Sequence, residues 1–186
     1  DEAEDVVKRA DDIVKRNREL LERVVRDLER IVRKNKDIVR KVVDEAKKLV
    51  KTVEDLSRQD NKREELRRRL EEVKERLERL VDKLRRESEK SKRELEKLLK
   101  ELRDLSRKTE EELRKLVEDL RRKLKNVKEV EDLLRRVEEK LRKSVKEVEE
   151  LLDTVRRRLE DSSRDVKRLL KEVLDRLEDV LDKEEK

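Results

Sequence analysis

The stretch that decides the fold is Val130–Leu141, VEDLLRRVEEKL, together with its two returns. Eighteen residues on stands Val148–Leu159, VEELLDTVRRRL, and eighteen further Val166–Leu177, VKRLLKEVLDRL. Val130, Leu133, Leu134, Val137 and Leu141 become Val148, Leu151, Leu152, Val155 and Leu159, then Val166, Leu169, Leu170, Val173 and Leu177. Eighteen residues make five turns at 3.6 residues per turn, so these side chains return to the same bearing on a straight helix. A heptad would impose a left-handed supercoil and an eleven-residue repeat a right-handed one; this period asks for neither.

The same period runs through the rest of the chain. Upstream, Leu77, Leu80, Val81 and Leu84 recur as Leu95, Leu98, Leu99 and Leu102, and again as Leu113, Leu116, Val117 and Leu120. At the start, Val6, Val7, Ala10, Ile13 and Val14 recur as Val24, Val25, Leu28, Ile31 and Val32, then Val42, Val43, Ala46, Leu49 and Val50. The first stripe is about 140° wide and the second about 100°. Two phase breaks separate the three segments. One is Ser57–Asn61 and the other lies around Lys125, Asn126 and Val127. Each break carries an Asn with a Glu three residues on, Asn61 with Glu64 and Asn126 with Glu129. This is capping-box chemistry: the Asn side chain accepts from first-turn N–H groups and the Glu reaches back to the cap N–H. The expectation is an all-α, antiparallel up-down-up three-helix bundle forming a single domain over residues 1–186. Its long, nearly straight helices are expected over 3–57, 62–125 and 128–183, with turns near 58–61 and 125–128 and lengths of about 80–95 Å. The phase continues through Ser88–Ser91 and Asp161–Ser163, so both are expected to stay helical.

Composition closes off most chemistry. Of 186 residues, 59 are Lys or Arg and 53 are Asp or Glu; Gly, Pro, Cys, Met, His, Phe, Tyr and Trp are all absent. Without Cys or His there is no thiolate, no imidazole base and no zinc site of the usual kind. Without Gly there is no phosphate-binding glycine loop. Without aromatics there is no base-stacking platform. No apolar run is long enough to span a bilayer. The charges alternate in sign along each segment, and a net +7 over residues 61–126 reads as a solvated face rather than a phosphate-binding one. The remaining carboxylates sit beside Lys and Arg at i,i+3 and i,i+4, as helix-stabilising pairs. The expectations are therefore no enzyme, no metal, no cofactor, no nucleic acid and no membrane, in a soluble chain of unknown location. The first residue is Asp1 and Met is absent, as expected of a recombinant chain. A monomer that requires no partner is expected. The alternative is a helical interaction module, a homo-oligomer or coiled-coil partner, that uses the wide stripe of the first segment.

The uncharged polar residues are placed with the same period. Asn17 and Asn35 lie on the first stripe, 18 apart. Ser88 and Ser91 recur as Ser106 and Thr109, and Ser144 recurs as Ser162 with Ser163 beside it. In antiparallel neighbours, residues at equal height share a constant sum of residue numbers. The polar spacing places the first turn near residue 62 and the second near 126, where the caps also fall. Two buried structural layers are expected: Asn17, Ser106, Thr109 and Ser144, and Asn35, Ser88, Ser91, Ser162 and Ser163. A buried amide of this kind sets register in coiled coils.

The repeat, the Leu/Val core, the Lys/Arg/Glu/Asp surface and the paired polar layers together resemble a computationally designed straight three-helix bundle with buried hydrogen-bond networks. The resemblance covers the whole chain. It implies a hyperstable structural protein or scaffold with no natural biochemical activity. Gly-free turns depart from usual design practice. Spectrin-like natural bundles are similar in topology only.

Overall fold

The computed structural model describes residues 2–58, 63–123 and 128–185. All lie in three helices: α1, Glu2–Arg58; α2, Arg63–Lys123; and α3, Lys128–Glu185. The expected turns near 58–61 and 125–128 lie mostly outside the described residues. α2 passes through Ser88–Ser91 and α3 through Asp161–Ser163 without interruption. Helices this long hold because no Gly or Pro interrupts them and one continuous apolar stripe can be buried. The charges complement the helix dipoles. Glu64 and Glu65 open α2, Arg121–Lys123 close it, and Glu129 and Glu131 open α3.

The contacts group the chain into two compact units. The first joins Asp1–Arg30 with Arg93–Val155, and the second joins Ile31–Lys92 with Arg156–Lys186. In the first unit, Arg9, Arg16 and Arg23 of α1 pair with Asp119, Glu112 and Glu101 of α2. The numbers rise on one helix as they fall on the other, so the two run antiparallel. Arg121–Glu131 and Arg142–Glu110 show the same for α2 and α3. A core of Val6, Ile13, Leu113, Leu116, Leu120, Leu134 and Leu141 lies between the three helices. In the second unit, Lys74 pairs with Glu178 and Ser88 with Ser163, again antiparallel. Its core centres on Val42, Leu49, Leu70, Leu77, Leu84, Leu170 and Leu177.

The 18-residue families read directly as burial. Leu77, Leu95 and Leu113 are buried, as are Leu84, Leu102 and Leu120, and Leu134, Leu152 and Leu170. One leucine family behaves otherwise. Leu133, Leu151 and Leu169, each the residue before a buried leucine, stand exposed.

Candidate functional site

The candidate residues are the uncharged polar side chains set on apolar stripes, because a buried polar group costs free energy unless it is hydrogen-bonded. Asn17 lies on the core side of α1 one turn after Ile13, and it is fully buried. Its Nδ2 donates to the carbonyl oxygen of Ile13 at 2.8 Å and to Oγ1 of Thr109 at 3.0 Å. The Thr109 hydroxyl turns its proton toward Oδ1 of Asn17 at 3.3 Å. Both donors and the acceptor of the amide are therefore engaged by one backbone carbonyl and one hydroxyl. Arg16 adds to the cluster. Its Nη2 reaches Thr109 Oγ1 at 3.5 Å, and Nη1 donates to both carboxylate oxygens of Glu112, at 2.7 and 2.8 Å. Among the described residues, Nε of Arg16 is buried without a hydrogen-bond partner. That orphan donor offsets part of what the Glu112 pair contributes.

Ser106 borders a space of about 10 Å³ together with Asn17 and Thr109, about the room of a single water. Ser144 is half-buried on α3 and lines a surface groove with Val14, Leu21 and Val25 of α1. Of the first expected layer, the structure thus joins Asn17 to Thr109, places Ser106 beside them and sets Ser144 apart in the groove.

The second unit differs. Ser88 and the buried Ser163 share a hydrogen bond of 2.8 Å. Asn35 is buried, and Ser91 and Ser162 are half-buried, yet among the described residues the Asn35 amide joins none of these serines. The sequence differs between the levels at three of these places. Thr109 corresponds to Ser91 one period earlier on α2, Arg16 to Lys34 one period later on α1, and Val145 to Ser163 one period later on α3. The network forms where the threonine and the planar guanidinium are present. Thr52 and Thr154 lie off the stripes and donate to the carbonyls of Lys48 and Glu150, each at 2.9 Å. These are ordinary i−4 bonds of exposed helical threonines.

The cap residues Asn61 and Asn126 lie outside the described residues. Glu64 and Glu129 are exposed in the first turns of α2 and α3. Beside that second junction, Nε of Arg121 donates to Glu131 at 2.6 Å. This hydrogen bond, more than the mere proximity of charge, holds the Glu131 carboxyl below the usual carboxylate range and raises the Arg121 guanidinium.

Residue patterns alone missed Arg16 and Glu112. Arg16 neighbours Asn17, and Glu112 follows Thr109 by three, so both lie next to the polar level. Opposite charges stand at that spacing throughout the chain, so nothing marked this pair. Among the described residues no group of three or more carboxylates, His or Cys is placed to hold a metal ion. No described helix is long and apolar enough to cross a membrane.

No protein-family model matches the chain, and no curated protein matches it. A solved structure described as a "Computationally designed three helix bundle" is similar to it. That similarity covers 98% of this chain and 88% of the other, at 19% sequence identity and a TM-score of 0.45. Among the described residues this chain is itself all helical, with three helices.

Proposed function

We propose that this chain is a designed helical-bundle scaffold, whose sequence serves to specify its own fold and which carries no catalytic task. The observation behind this reading is the recurrence of burial with the 18-residue period, through Leu77, Leu95 and Leu113 and through Leu84, Leu102 and Leu120. Selection for a ligand would break that recurrence around the ligand. Here the interruptions by polar residues obey the period themselves. The polar residues act as register markers: Asn17 with Thr109, and Ser88 with Ser163, satisfy one another only when the helices are correctly aligned. The absence of His and Cys from the sequence removes the imidazole base and the thiol nucleophile, leaving Ser, Thr, Lys and carboxylates.

Thermal unfolding of the full chain, with no additive, tests this reading. The helical circular-dichroism signal is expected to persist close to boiling, above the range of ordinary domains. A cooperative melt near about 50 °C, in the range of ordinary natural domains, would count against it. A second reading, a helical interaction module, is favoured by a separate observation: Val7 and Val32 of α1 stand exposed, at the edge of its wide stripe.

A further inference from the structure

The large apolar side chains that remain exposed are unevenly distributed. Among the described residues they are Val7 and Val32 on α1 and Leu133, Leu151 and Leu169 on α3, from 39% to 52% accessible. None is on α2. Single exposed leucines are unremarkable on any surface. These are not scattered. In the first unit, Leu133 and Leu151 sit on one bearing of α3, five turns apart. Between them, on the same side, a groove of about 650 Å³ opens between α1 and α3. Val14, Leu21 and Val25 line it on the α1 side together with three charged side chains, and Lys140, Leu141 and Ser144 on the α3 side. The seam between α1 and α2 is bridged by Arg9–Asp119, Arg16–Glu112 and Arg23–Glu101, and that between α2 and α3 by Arg121–Glu131 and Arg142–Glu110. The third seam holds the open apolar groove.

The charges beside the leucine row indicate what covers it. At 100° per residue, Lys140 lies about 20° and Glu147 about 40° from the bearing of Leu133 and Leu151, on the same flank. Both are exposed. If a second α3 is laid antiparallel on this row, with Leu133 against Leu151 of the second copy, Lys140 falls about 4.5 Å along the axis from Glu147 of that copy. The two-fold axis repeats both contacts. In an antiparallel pair related by such an axis, equivalent flanks face each other, so positive meets negative twice. The period adds one more such contact: Arg158, which repeats Lys140, falls at the same axial offset from Glu129 of the second copy, which repeats Glu147. A partner must hold the same 18-residue period to stay in register on this row, and this chain does.

We propose that the α1–α3 face of the first unit is a self-association surface, on which a second copy of the chain docks antiparallel, α3 against α3. Residue i meets residue j and j meets i, the isologous geometry of a closed dimer. The leucines of the second copy close the groove over Val14, Leu21 and Val25. Folding is complete within one chain and pairing is a later, reversible step, so this inference goes beyond the scaffold reading and does not depend on it. The contact is narrow, at the low end of specific interfaces, and the dissociation constant is expected at about 1–100 μM.

Sedimentation equilibrium of the full chain from micromolar to millimolar concentration tests the proposal. The mass is expected to rise from 22.8 kDa to twice that value. Leu133→Glu combined with Leu151→Glu is expected to weaken pairing at least about tenfold, with helicity unchanged because both positions are already exposed. As a milder variant, Lys140→Glu alone weakens pairing, and adding Glu147→Lys restores it. Arg103→Glu on α2 leaves pairing unchanged. A monomer at every concentration overturns the proposal, as does pairing that ignores the leucine changes. Failure of the charge swap to restore pairing overturns the antiparallel register, and growth beyond two copies overturns the closed geometry. Thermal unfolding reads the scaffold separately, so the two ideas fail independently.

Discussion

Replacing Thr109 with valine keeps the shape of the side chain and removes one oxygen. That oxygen accepts from Asn17 Nδ2 at 3.0 Å and offers its proton to Asn17 Oδ1 at 3.3 Å. Asn17 has no solvent to turn to, being fully buried, and its remaining bond is to the Ile13 carbonyl. One donor and one acceptor of the amide are then stranded, which costs about 1–3 kcal/mol. Asn17→Leu alone is cheaper, because the Thr109 hydroxyl can fall back on its own i−4 carbonyl while apolar surface is gained. The double variant strands nothing and is expected within about 1 kcal/mol of the parent, or above it. The cycle should therefore give a coupling of about 1–2 kcal/mol. Guanidinium unfolding followed by circular dichroism at neutral pH measures all four proteins, with the midpoint and slope read separately. Additive single effects, or a Thr109→Val cost below about 0.5 kcal/mol, would refute the claim that the two side chains hold each other.

Three further outcomes follow from the same structure. Asn35 is buried without a hydrogen bond to its level's serines, so Asn35→Leu should leave the fold intact and raise the unfolding midpoint; a loss of several kcal/mol would show a bond that the geometry does not contain. Leu116 is fully buried in the first unit's core, so Leu116→Ala should cost about 2–5 kcal/mol in the same unfolding assay. Glu131 is held below the usual carboxylate range by its hydrogen bond from Arg121. What that bond contributes is present above the ordinary carboxylate pKa and lost as pH falls through the lower folded value. The carboxyl carbon of Glu131, followed by NMR, should titrate below the usual range, and Arg121→Gln should move its midpoint upward.

Much of this protein is written along the chain. The 18-residue period and its two phase breaks determined that there are helices, how many and which face of each is apolar, because periodicity is a local property of a backbone with 3.6 residues per turn. The spacing of Asn17, Ser106 and Thr109 was visible for the same reason. The salt-bridged Arg16 and Glu112 were not, since an Arg next to a polar stripe and a Glu three residues from another are commonplace in a sequence that is 60% charged. The repeat also placed Asn17 and Asn35 alike on their stripe. The structure separated Asn17, which meets Thr109, from Asn35, which does not meet Ser91, at levels that also differ by Thr for Ser and Arg for Lys.

The leucine pairs of α3 mark the boundary most clearly. Leu133 and Leu134, Leu151 and Leu152, and Leu169 and Leu170 are adjacent and alike in type, and each pair lies within one apolar stripe. Tertiary packing buried Leu134, Leu152 and Leu170 and left Leu133, Leu151 and Leu169 exposed. Sequence determines the bearing of a side chain on its own helix. Whether that bearing meets another helix or solvent depends on where the neighbours lie, and that is set by how the three stripes pack together within each unit.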